Sequence, residues 1–357
     1  MRSVPLSATG PDVSSLALGT WTFAGDAIWG KSEESACRRV VHAAVDRGIT
    51  LFDTAPTYGD GRSEAILGRA LKELGADRAA NVTVATKCKV EGASRESLRD
   101  TVYTAIKRLR RDRIDLMQIH WPAPTTEETR RALDTFLELK KEGSIGEIGV
   151  CNFGVFDVQE TAEYPIVTNQ IPYNLLWRGI EDIGGTKGTP GIATTSHIVG
   201  RKTIAYSVLQ QGLLTGTYGD LSEFPRGRQR TLHFTGHRSA SGGTEEYRDP
   251  DLFRETADAL RRLLKLSRQF ECPLLDLAVA YVSGSPYIDI TLIGARTEEQ
   301  LARTIAAAEA TPEPEVRTAL DEATASLRRS VGGDIDMFQY PSRVRYPGPD
   351  GTPVRTR

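Results

Sequence analysis

The stretch LFDTAPTYGDGRSEAILGRAL, residues 51–71, runs an apolar segment into a carboxylate, Asp53, and sets a tyrosine, Tyr58, shortly beyond it. An acid at the end of a buried run costs several kcal/mol unless an opposite charge or hydrogen-bond donors meet it. Two other short apolar runs end in candidate partners: VTVATK in Lys87 and IDLMQIH in His120. Paired at about 4 Å in an effective dielectric of ~20, Asp53 and Lys87 attract by roughly 4 kcal/mol before desolvation is subtracted. Bringing a tyrosine from its ordinary pKa of about 10 to near 7 takes ~4 kcal/mol of differential stabilisation, and a neighbouring ammonium supplies much of it. Tyr58 is then expected to act as a general acid, with His120 hydrogen-bonded to the same substrate oxygen as a carbonyl becomes an alkoxide. Protonating a carbonyl oxygen is useful when a hydride reaches the carbon, so the set implies a redox cofactor that no side chain replaces.

These groups lie far apart in the chain, and a fold must gather them. Eight apolar runs fit strands, at 16–20, 50–54, 82–87, 114–120, 145–152, 166–170, 203–208 and 290–294. Their near-continuous apolarity fits parallel strands covered on both faces. Between them, helical periodicity marks 32–47, 62–74, 94–110, 126–142 and 298–309, with Ser32 and Ser94 as candidate caps. No Gly-x-Gly-x-x-Gly follows the first strand, so the pattern predicts a (β/α)8 TIM barrel rather than a doubly wound sheet. In such a barrel the carboxyl ends of the strands share one mouth, where Asp53, Tyr58, Lys87 and His120 are expected to meet. The unit 173–202 is irregular, with a short helix expected near Pro190, and a long polar insertion at 216–248 follows the seventh strand. Residues 1–330 are read as one barrel. Residues 331–357 are read as a tail, partly mobile or contacting the pocket or another subunit through Met337, Phe338 and Tyr340.

Composition narrows the partners. With 39% hydrophobic and 26% charged residues over 357 positions, the chain can bury a full core, and a formal charge of −2 gives no basic field for nucleic acid or anionic membrane. The local run from Lys107 to Arg113 reads as a solvated helix face. Cys37, Cys88, Cys151 and Cys272 show no metal-ligand spacing, so no metal is expected. No leader or membrane-length apolar run is read, so a cytoplasmic location is expected. His197, His233 and His237 are read as surface residues, His42 as a helix residue without chemistry and Cys88 as packing. Trp21 and Trp121 follow strand ends and are expected to wall a substrate pocket.

The motifs FDTAPTYGDGRSE, ATK, IDLMQIHWP, GVCNF, NQIPYNLL, AYSVLQQGLLTG and LIGARTEEQL, in this order over 15–310, resemble those of aldo-keto reductases. HWP and LIGA are more similar to the bacterial oxidoreductases and potassium-channel β-subunits of that superfamily than to the aldose-reductase branch. The resemblance implies a catalytic tetrad of Asp53, Tyr58, Lys87 and His120, NADPH/NADP+ bound across the mouth, and a small carbonyl substrate such as a sugar, keto-sugar or metabolite aldehyde or ketone. It also implies cofactor residues. Gly19, Thr20 and Trp21 would line the nicotinamide side, Asn152 and Gln170 would hold the carboxamide, and Tyr206 would stack on the ring. Ser207, Leu209, Gln211, Gly212 and Leu213 would pass beneath the pyrophosphate, and Gly294, Ala295, Arg296 and Gln300 would meet the 2′-phosphate end. The sequence departs from the family at Cys151, where serine is usual, at Thr217, where a lysine is common, and at Arg303 and Thr304, where a Glu-Asn pair is usual. An alternative implied by the same resemblance is a cofactor-sensing interaction protein of the channel β-subunit type, with slow turnover.

Overall fold

The computed structural model describes residues 1–182, 190–235, 250–333, 335–338, 345–347 and 353–355. A short hairpin, β1 (Ser3–Pro5) and β2 (Asp12–Ser14), precedes eight parallel strands: β3 (Leu16–Gly19), β4 (Leu51–Asp53), β5 (Thr83–Cys88), β6 (Ile114–Ile119), β7 (Ile145–Cys151), β8 (Ile166–Pro172), β9 (Lys202–Tyr206) and β10 (Ile290–Gly294). They close on themselves in chain order, β10 pairing with β3 so that Gly294 lies opposite Gly19. This is the predicted (β/α)8 barrel, and all eight predicted strands are present. The hairpin went unread because its runs are only three residues long. Its Val4, Leu6 and Val13 join inward-facing Ala17, Leu51, Ala85, Leu116 and Ile290 in one buried cluster, filling the barrel interior below the mouth.

Helices α1 (Glu34–Asp46), α2 (Arg62–Leu74), α3 (Ala76–Ala80), α4 (Arg95–Leu109), α5 (Thr126–Lys141), α6 (Val155–Glu160) and α7 (Ile192–Ile198) alternate with the strands. Past β9 come α8 (Leu232–Thr235), α9 (Pro250–Gln269), α10 (Leu274–Ser283), α11 (Glu298–Glu309) and α12 (Pro314–Val331). Ser94 caps α4 as predicted, accepting from the Ser97 amide, whereas Ser32 lies outside α1 and its hydroxyl donates to the Phe23 carbonyl. The basic run is less solvated than predicted. Arg108 reaches back to the fully buried Glu64, and Arg111 donates to the Ala79 and Val82 carbonyls, fastening α4 to its neighbours.

The short helix predicted near Pro190 is α7. Of the predicted insertion after the seventh strand, residues 216–235 are described, with Thr217, Tyr218, Arg228 and Arg230 lining the cleft, while 236–248 lie outside the described residues, as do His237 and Tyr340 of the sequence reading. The other residues read as surface or inert divide. His197 pairs with Asp289 at 2.9 Å, and the ring of His42 meets the Ala70 carbonyl. His233 is fully buried, contrary to the surface reading. It is held among Gln210, Thr231 and the Leu176 carbonyl, and burial lowers its pKa from 6.5 to about 4. Among the described residues no helix is long and apolar enough to cross a membrane, and no cluster of side chains could hold a metal ion.

Candidate active site

Asp53 closes β4 on the inward parity, and Lys87 occupies the same parity near the end of the neighbouring β5. Their side chains are almost wholly buried, and the Lys87 Nζ donates to Asp53 Oδ2 at 2.5 Å. The same ammonium donates to the Thr54 carbonyl at 2.9 Å and to the Tyr58 hydroxyl at 3.3 Å. Three acceptors thus take up its three N–H groups. Burial works against the charge on Lys87, but attraction to Asp53 outweighs it and holds the pKa above that of an ordinary lysine.

The other carboxylate oxygen, Asp53 Oδ1, accepts from the side-chain amides of Gln170 at 2.7 Å and Gln118 at 3.1 Å. A buried acid is tolerated here because three donors meet it. Gln118 was missed in the sequence. The signal was parity: it sits two residues before His120 on β6, hence on the same inward face. Gln170, predicted to hold a carboxamide, spends one amide proton on Asp53.

Tyr58 is carried by the loop after β4. Gly59 allows the loop its path: its φ is +64°, and a Cβ there would lie 2.4 Å from the Ala24 carbonyl oxygen. This close approach seats the Tyr58 ring against Trp21, stacked at 5.9 Å, with His120 edge-on at 6.2 Å. The predicted drop of the Tyr58 pKa towards 7 is overturned. Burial disfavours the phenolate more than Lys87 favours it, Asp53 adds repulsion, and the pKa is pushed up to about 12. Asp53, paired with the same ammonium, offsets part of what Lys87 gives the phenolate.

These residues open onto a cleft of about 1060 Å³ at the carboxyl ends of the strands. Trp21, Trp121 and His120 stand on its wall, joined by Trp29 and by Phe338 from the tail, which meets Trp21 edge-on at 6.4 Å. Among the predicted cofactor residues, Gly19, Asn152, Gln170, Tyr206, Ser207, Leu209, Gln211, Gly212, Gly294, Arg296 and Gln300 also face the cleft. Three do not. Thr20 is buried with its hydroxyl bonded to the Asp53 carbonyl and Ser63, Leu213 lies in the outer core, and Ala295 is buried with its carbonyl accepting from Thr22. At Asn152 both ends of the amide are engaged, one donating to the His120 carbonyl and the other accepting from the Tyr206 hydroxyl.

The floor is built from backbone in unusual conformations: Asn152, Ser207 and Gln211, with the neighbouring buried Gln210, all have positive φ, from 47° to 62°. Side chains other than glycine rarely adopt this region, and it recurs where a ligand must be approached closely. Gln211 is buried on the cleft, and among the described residues neither end of its amide is hydrogen-bonded. Beside it Arg228, from the insertion, donates to the Gln211 carbonyl and packs between the rings of Trp29 and Phe224, and its Nε has no partner among the described residues. An unsatisfied amide and a guanidinium beside Gly212, whose φ is +98°, fit an anionic, phosphate-bearing cofactor. Arg296 precedes α11 and rests on the Lys31 carbonyl, whereas Arg303 is engaged by Asp276.

A parallel eight-stranded barrel with a large cleft at the carboxyl ends of its strands defines a barrel enzyme. Residues 15–325 match the Aldo/keto reductase family. The chain is 34% identical to the aldo-keto reductase YhdN of Bacillus subtilis over 317 residues, 84% of this chain and 87% of that protein. It is 27% identical to the NADH-specific methylglyoxal reductase of Escherichia coli over 94% of this chain and all of that protein. The glycerol dehydrogenase AKR11B4 of Gluconobacter oxydans superposes with a TM-score of 0.69 at 28% identity, covering 94% of this chain and 97% of that one. The chain belongs to the aldo-keto reductase family, and it is an NAD(P)H-dependent oxidoreductase.

Proposed function

We propose that the protein reduces an aldehyde or ketone to the alcohol at the expense of NADPH, with Tyr58 as proton donor and Asp53, Lys87 and His120 as its catalytic partners. The observation that carries this reading is the direction of one hydrogen bond. Lys87 donates to the Tyr58 oxygen, so the phenol's own proton is left for the cleft side. Bound in the cleft, the nicotinamide supplies the hydride. The oxygen that gains charge becomes an alkoxide, a far stronger base than a phenolate. A phenol with a pKa of about 12 therefore gives up its proton downhill, and at neutral pH it carries that proton almost always. The reverse reaction needs the phenolate, so the rate of alcohol oxidation should rise with pH.

Cofactor contacts follow from the wall. Gln211, Ser207, Gly212 and Arg228 take the pyrophosphate, Asn152 and Gln170 the carboxamide, Tyr206 the ring, and Gly294, Arg296 and Gln300 the adenosine end. Arg296 supports NADPH over NADH, since a guanidinium fork suits a dianionic phosphate. The substrate lies among Tyr58, His120, Trp21, Trp121 and Phe338, an aromatic enclosure that the tail completes. Tyr58→Phe tests the reading, because it keeps the ring and removes only the hydroxyl. Turnover with NADPH over a panel of carbonyl compounds should fall ~100-fold or more while the nucleotide still binds. A variant retaining a tenth of wild-type kcat would refute the assignment.

A further inference from the structure

Gln118 stands between the catalytic ion pair and the floor of the cleft, and each end of its amide has a different partner. The nitrogen donates to Asp53 Oδ1 at 3.1 Å. The oxygen accepts from the Cys151 thiol at 3.6 Å, with both side chains buried. An amide can be turned over, and here the two orientations are not equivalent. Turned, it would set its oxygen against the Asp53 carboxylate and its N–H groups against a sulfur that is already a poor acceptor. The Asp53 carboxylate and the Cys151 S–H therefore agree on the orientation in which Gln118 donates to Asp53. Burial holds the thiol well above its ordinary pKa, so the proton that fixes the amide stays on sulfur. Cys151 also faces the cleft, next to Asn152.

We infer that Gln118 is a positioning residue for the catalytic centre, and that Cys151 reinforces the orientation in which it donates to Asp53. With Gln170 it supplies two donors to Asp53 Oδ1. The carboxylate is thereby fixed as an acceptor with Oδ2 turned to Lys87, and Lys87 in turn keeps its third N–H on the Tyr58 oxygen. The chain of donors runs from Cys151 through Gln118 to Asp53 on one side and from Lys87 to Tyr58 on the other. A serine at position 151 would orient the amide in the same sense, which explains why a thiol is accommodated there.

This inference rests on Tyr58 being the proton donor, so wild type and Tyr58→Phe are assayed beside the new variants. In Gln118→Leu the donor is lost, and kcat/KM for carbonyl reduction should fall by about tenfold to a hundredfold at every pH. Gln118→Glu supplies the informative readout. Its carboxyl can replace the amide as donor to Asp53 only when protonated, so activity relative to wild type should be lost at pH 8 and climb as the pH falls towards 5.5. Cys151→Val should lose activity, and Cys151→Ser should recover it. In the ligand-free protein, Gln118→Leu should lower the melting temperature less in an Asp53→Asn background than in wild type. Parallel pH profiles for Gln118→Glu and wild type, or equal melting losses in the two backgrounds, overturn the relay while leaving Tyr58 as donor. Absence of Tyr58-dependent turnover in wild type overturns the proposed function, and the relay falls with it.

Discussion

Lowering the pH should weaken the segment that lines the cleft, through one histidine. His233 is fully buried between Gln210, Thr231 and the Leu176 carbonyl, with its ring edge-on to Trp177 at 5.5 Å. No acid is among these partners, and burial lowers its pKa from 6.5 to about 4. The folded state therefore holds the ring neutral, while the unfolded chain takes up a proton as the pH drops below 6.5. Stability present above that pH is lost progressively down to about pH 4. A difference of two to three pKa units at ~1.4 kcal/mol each gives about 3 kcal/mol, a large part of a typical domain's ~5–15 kcal/mol. Other carboxylates also titrate in this range, so a comparison isolates the histidine. His233→Gln keeps a donor and an acceptor but cannot titrate, and urea unfolding of both proteins at pH 7.5, 6, 5 and 4.5 should show the wild type losing stability faster by most of that amount. Identical slopes would mean that the ring is solvated or paired when charged, and the reasoning would fail.

Lys87→Met should leave Asp53 Oδ2 buried without its cation and cost about 3–5 kcal/mol in urea unfolding, together with activity, whereas Asp53→Asn should cost less because Lys87 keeps Thr54 and Tyr58. Negligible and equal effects would show that the pair is not buried in solution. Arg296→Ala should weaken NADPH about 10- to 150-fold, as expected for one charge-assisted contact, with little change for NADH, measured by quenching of tryptophan fluorescence. Equal weakening of both nucleotides would remove Arg296 from phosphate recognition. Phe338→Ala should lower kcat/KM for a bulky aryl aldehyde by roughly tenfold, the effect of one lost apolar contact surface, and change that for the smallest aldehydes far less. A uniform loss across substrates would mean that the ring only supports Trp21.

The barrel was legible because parallel strands covered on both faces carry their own signature, near-continuous apolar runs that end abruptly in polar groups. Asp53, Lys87 and His120 stood out at those ends, and their convergence followed from the architecture. The hairpin at 3–14 did not, since three-residue strands leave no period to read. Nor did the burial of His233, which depends on a segment whose path no periodicity specifies, or the direction of the Tyr58 shift. A neighbouring cation is visible in a motif, but the depth of burial that opposes it emerges only from packing. Gln118 lies between these cases. Its inward parity could be counted along β6, yet its partner Asp53 sits two strands away and needs the register to be found.

The pairing of β3 with β10 has a consequence for synthesis. These strands lie near opposite ends of the chain, and the last rung sets Gly294 beside Gly19 on the cleft. As the polypeptide leaves the ribosome, residues 16–206 can build a curved sheet of seven strands, but that sheet keeps two unpaired edges until residues 290–294 arrive. Joining ends so distant in sequence is a slow, non-local step. Asp53, Tyr58, Lys87 and His120 all precede that closure in the chain, whereas Gly294 and Arg296 of the cleft wall arrive with it.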